Sequence, residues 1–220
     1  MNSQQILLFM PAALLITLAP GPDNLGVLAL SLSNGRRASL GFALGCAAGC
    51  LNHTLLASLG ITALLAASPV ALQILKFCGA AYLGWIGFQS LRSIRSASRP
   101  DFESDTACAG QAFLPHFRRG LIANAINPKV ALFFLAFLPQ FIQPGNWSTP
   151  VQTACLGLLF ALTAALCFSA IALLANHLGQ ALKEKPGIQA WLQALSGLLF
   201  IGLALRLILV DLNPPVRAPA

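Results

Sequence analysis

Long apolar runs alternate with short polar stretches along this chain. Six of the runs reach the roughly 20 residues that an α-helix needs to cross hydrocarbon. They cover residues 6–32, 38–67, 70–91, 120–141, 151–175 and 188–210. Ser68-Pro69 alone separates the second run from the third, which signals a tight hairpin. The stretch 93–117 is rich in serine, arginine and acidic residues and cannot bury a core, so it reads as a flexible linker. The pattern predicts an all-α membrane protein with a first three-helix repeat over 1–92, the linker at 93–117, a second repeat over 118–212 and a tail at 213–220.

Two of the runs are interrupted. Leu18-Ala-Pro-Gly-Pro-Asp-Asn-Leu25 places two prolines around a glycine, followed by a carboxylate and an amide, inside the first run. Pro20 and Pro22 lack the amide hydrogens that would satisfy the carbonyls of Ile16 and Leu18. In hydrocarbon such freed groups are tolerated only where protein covers them or they line a cavity. The fourth run is interrupted in the matching place by Asn127-Pro128-Lys129. The third and sixth runs also correspond, reading Gly79-Ala-Ala-Tyr-Leu-Gly84 and Gly197-Leu-Leu-Phe-Ile-Gly202. Three crossings is an odd number, so the halves must run in opposite senses. That is the inverted repeat of secondary transporters, whose sites lie at paired broken helices.

Composition agrees. Of 220 residues, 57% are hydrophobic and 9% charged, with a mean hydropathy of +0.76, against about 25% charged in soluble domains. The net charge of +7 does not indicate nucleic acid, because the basic residues lie between apolar runs and not on one face of a soluble domain. They set orientation instead. Arg36, Arg37, Arg92, Arg95, Arg99, Arg118, Arg119, Lys183 and Lys185 all fall in loops on one side, and the opposite loops have none. With positive charge inside, both termini face out. The N-terminal segment lacks the basic region of a secretory signal and its apolar run is too long for one, so it is taken as the first span. Cys46, Cys50, Cys78, Cys155 and Cys167 lie within runs and act as small apolar residues; with Cys108 they imply no disulfide framework. Asn146-Trp147-Ser148 matches a glycosylation triplet on the outer side.

Depth brings the charged residues together. Asp23 lies 13 residues before Arg36, and Lys129 lies 10 after Arg119; at about 1.5 Å per residue these are roughly 20 and 15 Å from the inner boundary. Both fall near the middle of a hydrocarbon core about 30 Å thick. Lys129 is the expected partner of Asp23, or both face one polar cavity suited to a zwitterion, with an ammonium near Asp23 and a carboxylate near Lys129 or a half-helix N-terminus. The alternative is a fixed ion pair tying the repeats together. Asn24, Asn124 and Asn127 sit within about a turn of the breaks and can cap freed backbone or bind substrate, with capping the expectation for Asn127. Pro20, Gly21, Pro22 and Pro128 act through the backbone. His53, midway through the second run, is a candidate for proton exchange, with a buried neutral histidine as the alternative. Cys46, Cys50 and His53 share a helical face, but the spacing lacks closed-site metal signatures. Gly41, Gly45 and Gly49 recur every four residues, which permits close packing either within the chain or across a homodimer. Lys76 and Arg206 are expected to snorkel to the outer interface. Tyr82, Trp85, Trp147 and Trp191 are expected to pack or anchor at the interface and not to stack on substrate.

Several of these residues carry a family resemblance. Pro20-Gly-Pro22-Asp23-Asn24, Gly35-Arg36, Gly79-Ala-Ala-Tyr82-Leu83 with Gly87, Gly120-Leu-Ile-Ala-Asn124, Asn127-Pro128-Lys129 and Leu138-Pro139-Gln140-Phe141 resemble, in order and over nearly the whole chain, the LysE/RhtB superfamily of bacterial amino-acid exporters. The resemblance implies a proton-coupled efflux carrier of the bacterial cytoplasmic membrane, without cofactor or nucleic-acid partner, exporting homoserine, threonine, leucine, lysine or a similar amino acid. Asp23 is the only acidic group available to a cavity, which favours a neutral substrate. The expected cycle is alternating access, with substrate entering from the cytosol near Asp23 and Lys129, and protonation of Asp23 or His53 from outside resetting the carrier. The rival readings are a metal-ion exporter of the same superfamily using Asp23, His53 and the cysteines, and an intramembrane enzyme with His53 as base.

Overall fold

The computed structural model describes residues 2–67, 69–94, 112–143, 147–184 and 186–209. The Ser68 hairpin position, most of the 93–117 linker, Asn146 of the glycosylation triplet, Lys185 and the 213–220 tail lie outside the described residues. Within them the chain is helical and has no strand. Helix α1 spans Ser3–Leu18 and opens on Asn2, whose side chain accepts from the Gln5 amide at 2.8 Å. It stops where Pro20 withholds its donor. After an extended Gly21 (φ −172°), α2 spans Pro22–Asn34 with proline at its first turn. Gly35, at φ 84°, makes the turn that a side chain would resist.

The continuous helices follow as α3 (Arg36–Ala67) and α4 (Pro69–Ser93). The second bent unit is α5 (Phe113–Ala125) and α6 (Pro128–Leu132), again with proline at the restart. Helix α6 runs on into a π-helical turn at Phe133–Phe137 and a 3-10 turn at Leu138–Phe141. Pro139 cannot satisfy the carbonyl four residues back, which removes the α-pattern at this point. Helices α7 (Thr149–Glu184) and α8 (Pro186–Leu209) complete the chain.

Among the described residues three helical stretches, Arg36–Gly60, Thr149–Ala175 and Ala190–Leu209, are long and apolar enough to cross a bilayer. The bent pairs, kinked by 53° and 48°, bring the number to five if each is one crossing, and α4 occupies the position of the remaining expected span. Helix α3 is central, packed on α5, α7 and α2, and α4 pairs with α8. Two buried hydroxyls fasten α2 to its neighbours: Ser39 donates to the Val27 carbonyl at 2.7 Å and Ser31 to that of Ala172 at 2.8 Å.

The glycine ladder works within the chain. A methyl at Gly41 or Gly45 would collide with the carbonyl oxygens of Phe113 and Phe117 on α5, and one at Gly49 with Asn124, while Gly120 is pressed in return against the Phe42 carbonyl. The α3–α5 contact is therefore backbone against backbone, which only small residues allow. Gly45→Ala is expected to cost about 1–3 kcal/mol by overpacking, read as a lower melting temperature in detergent. Gly84→Ala, whose methyl meets nothing within 4 Å, is the neutral control; equal melting of the two variants would contradict the close approach.

Above the breaks, Phe9, Phe133, Phe134, Phe137, Phe141 and Phe160 form an aromatic core with ring centroids 5.1 to 6.2 Å apart. Arg206 is exposed and lies over the rings of Phe137 and Phe141. Lys76 departs from expectation: it is buried, with its ammonium 5.5 Å from the Phe77 ring. Trp85, Trp147 and Trp191 are exposed.

Candidate functional site

The two breaks meet, and each is completed by side chains of the other. The first break leaves the carbonyls of Thr17, Leu18 and Ala19 without helical donors. Asn24, in the first turn of α2, turns its amide back on all three, at 3.0, 3.1 and 3.2 Å. Lys129, from the second break, donates to the Ala19 carbonyl at 2.7 Å and lies 5.5 Å from the Phe200 ring. These contacts end α1 inside the protein, where water is not available to do so.

Asp23 sits in the first turn of α2, at the positive end of that helix. It is 5% exposed. Its Oδ2 accepts from the Asn124 amide at 2.7 Å and from the Asn127 amide at 3.0 Å. Its Oδ1 is buried and has no hydrogen-bond partner among the described residues. Asn127 does two things, because its own Oδ1 also accepts from the Lys129 backbone amide at 3.0 Å and so caps α6.

Asn124 is the hub. Besides its bond to Asp23, its Oδ1 receives a weak donation from the Cys50 thiol at 3.5 Å, and its backbone carbonyl lies 2.8 Å from His53 Nε2. A carbonyl can only accept, so this contact requires the proton on Nε2. His53 is buried, with its ring 5.9 Å from that of Phe134. It adjoins the carboxylate through Asn124 and does not touch it.

The residues singled out in the sequence, Asp23, Asn24, Asn124, Asn127, Lys129 and His53, therefore gather at one buried centre flanked by Pro20, Gly21, Pro22 and Pro128. The direct Asp23–Lys129 pair does not form. Two neutral amides from the second bent pair hold the carboxylate of the first, and the ammonium is drawn to the carbonyl end of α1, the negative pole of that helix. Gly21 keeps the space open for it, since a Cβ there would stand 3.1 Å from Lys129 Nζ. Among the described residues no three His, Cys, Asp or Glu side chains come together as metal ligands.

The sequence reading missed two features. Thr17 contributes a buried hydroxyl that has no partner among the described residues, beside the first break. At the opposite end from Arg36, Gln5 is 1% exposed and donates to the Phe141 carbonyl at 2.6 Å and to Gln152 Oε1 at 2.7 Å. Gln152 in turn donates to the Gln143 and Trp147 carbonyls at 2.8 and 2.9 Å. This clamp closes α1 and α7 over the aromatic core. Its signal was a glutamine at the edge of an apolar run, Gln5 directly before the first and Gln152 at the start of the fifth.

The chain is similar to membrane proteins of several bacteria. The chain is 32% identical over 201 residues to an uncharacterised membrane protein of Vibrio cholerae, covering 91% of this chain and 95% of the relative. It is 32% identical over 203 residues to one of Pseudomonas aeruginosa, covering 90% and 92%, and 26% identical over 205 residues to one of Bacillus subtilis, covering 91% and 97%. No solved structure matches. Residues 14–210 match the family described as LysE type translocator.

Proposed function

The chain belongs to the LysE type translocator family, and on that premise we propose that it is a secondary-active exporter of a small neutral amino acid, working by proton antiport in the bacterial cytoplasmic membrane. The observation that carries the reading is the open oxygen of Asp23. Oδ2 is held by two amides from the other half, while Oδ1 is buried and unmatched. A buried carboxylate oxygen with free lone pairs is a position for a proton or an ammonium group, and it can hold only one of them at a time. That competition is what antiport needs: proton and substrate ammonium alternate on one atom.

The substrate carboxylate is received by Lys129, which exchanges the Ala19 carbonyl for a stronger, charge-assisted partner. Donors that bridge the two halves break when those halves move apart, so binding at Asp23 biases the cycle. The two bent pairs with α3, α4, α7 and α8 then make six crossings in two inverted repeats, supported by the pairing of α3 with α7 and α4 with α8. Both termini face the outside. The test is counterflow in reconstituted vesicles: labelled neutral amino acids are expected to exchange, and an imposed pH gradient to drive accumulation. Exchange that ignores the pH gradient would remove the proton from the cycle, and absence of exchange for every amino acid would remove the substrate class.

A further inference from the structure

Asn52 immediately precedes His53 on α3, yet faces away from the site. His53 is buried, whereas Asn52 is exposed and its amide makes no hydrogen bond among the described residues. It lies 16 residues beyond Arg36, about 24 Å along the helix, level with the broken helices that His53 touches. Around it Leu44, Leu51, Leu55, Leu56 and Leu59 are 37 to 65% exposed. Leu51 and Leu55, Asn52 and Leu56, and Leu55 and Leu59 are each four residues apart, and Leu44 lies seven before Leu51, so they form a single outward stripe. The other faces of α3 are taken by α5, α7 and α2.

Hydrocarbon offers an amide neither donor nor acceptor, so leaving Asn52 against lipid tails is unfavourable. We infer that this face of α3 is the interface of a homodimer. Two copies inserted in the same sense are related by a two-fold axis along the membrane normal, which brings like residues together. An amide is its own complement: the N–H of one Asn52 donates to the carbonyl of the other. Leucines above and below exclude competitors, as they do around a buried asparagine in a coiled coil. The inference rests on the membrane assignment and not on the transport reading.

Single-molecule photobleaching of labelled protein diluted in liposomes tests it. The wild type is expected to be dimeric, Asn52→Leu to weaken dimerisation about tenfold, and Asn52→Gln to restore most of it. In a background with the native cysteines replaced, Asn52→Cys is expected to form a covalent dimer on oxidation, and Leu166→Cys, 75% exposed on α7, is not. A wild type that stays monomeric at every dilution, or Asn52→Leu associating as tightly as wild type, overturns the inference. So does labelling of Asn52→Cys by a water-soluble maleimide without cross-linking, which would put Asn52 on an aqueous path. Asp23→Asn, inactive in transport, is expected to dimerise normally, so failure of the interface and failure of the transport reading remain distinct.

Discussion

Asp23→Asn is expected to abolish pH-driven accumulation while the protein remains in the membrane at near wild-type abundance. The new side chain has the same shape, and its carbonyl oxygen can occupy the Oδ2 position and keep both bonds, from Asn124 and Asn127. Each bond weakens from charge-assisted to neutral, a loss of about 1 kcal/mol, which is too little to unfold the bundle. At the Oδ1 position the change is absolute. A carboxylate oxygen that accepts a proton or an ammonium becomes an amide nitrogen that only donates. Losing a hydrogen bond to a charged group costs about 1.5–3 kcal/mol, so substrate exchange should fall by roughly 10- to 150-fold, and coupling to the proton gradient should vanish outright. The measurement is initial-rate counterflow and pH-driven uptake in vesicles, normalised to protein. Wild-type accumulation by the variant would exclude Asp23 from the mechanism.

Lys129→Met is expected to have the second largest effect, and on two quantities. The methionine fills most of the same volume but donates nothing, so the Ala19 carbonyl keeps only the long bond from Asn24. Loss of that donor should cost about 1–3 kcal/mol of stability, visible as a lower melting temperature. Transport per folded molecule should also fall by more than about tenfold, because no cation remains to receive the substrate carboxylate. The split between the two readouts decides the role. If abundance drops and transport per molecule holds, the lysine is a tie between the two breaks and carries no substrate. His53 is expected to matter less than either residue, since it reaches the carboxylate only through the Asn124 carbonyl.

How far the sequence could be read varies with the range of the interaction. The breaks were legible because proline acts on its own backbone within four residues, and they lie where Pro20-Gly21-Pro22 and Asn127-Pro128 require. The capping role expected for Asn127 is also local and is present. The apolar runs at 38–67, 151–175 and 188–210 are helices for the same kind of reason. The glycine ladder told that something approaches α3 closely but not which partner; α5 of the same chain fills that place. Counting residues puts Asp23 and Lys129 at one level, and the structure places both in the buried centre where the breaks meet.

Depth is one coordinate of three. Opposite charges at the same level need not point at each other, and here each found a nearer pole: the ammonium took the carbonyl end of α1, and the carboxylate took two amides. No spacing along the chain encodes a bond between residues 23 and 124, because its direction depends on how two kinked helices cross. The burial of Lys76 and the Gln5–Gln152 clamp are hidden for the same reason.

By itself the sequence determined a helical membrane protein, the positions at which two helices must break, and the set of polar residues that could serve them, since all of these follow from hydropathy and from backbone chemistry over a few residues. Only the tertiary structure decided which of those polar groups satisfy one another and which oxygen is left open, because hydrogen bonds depend on direction and distance in space.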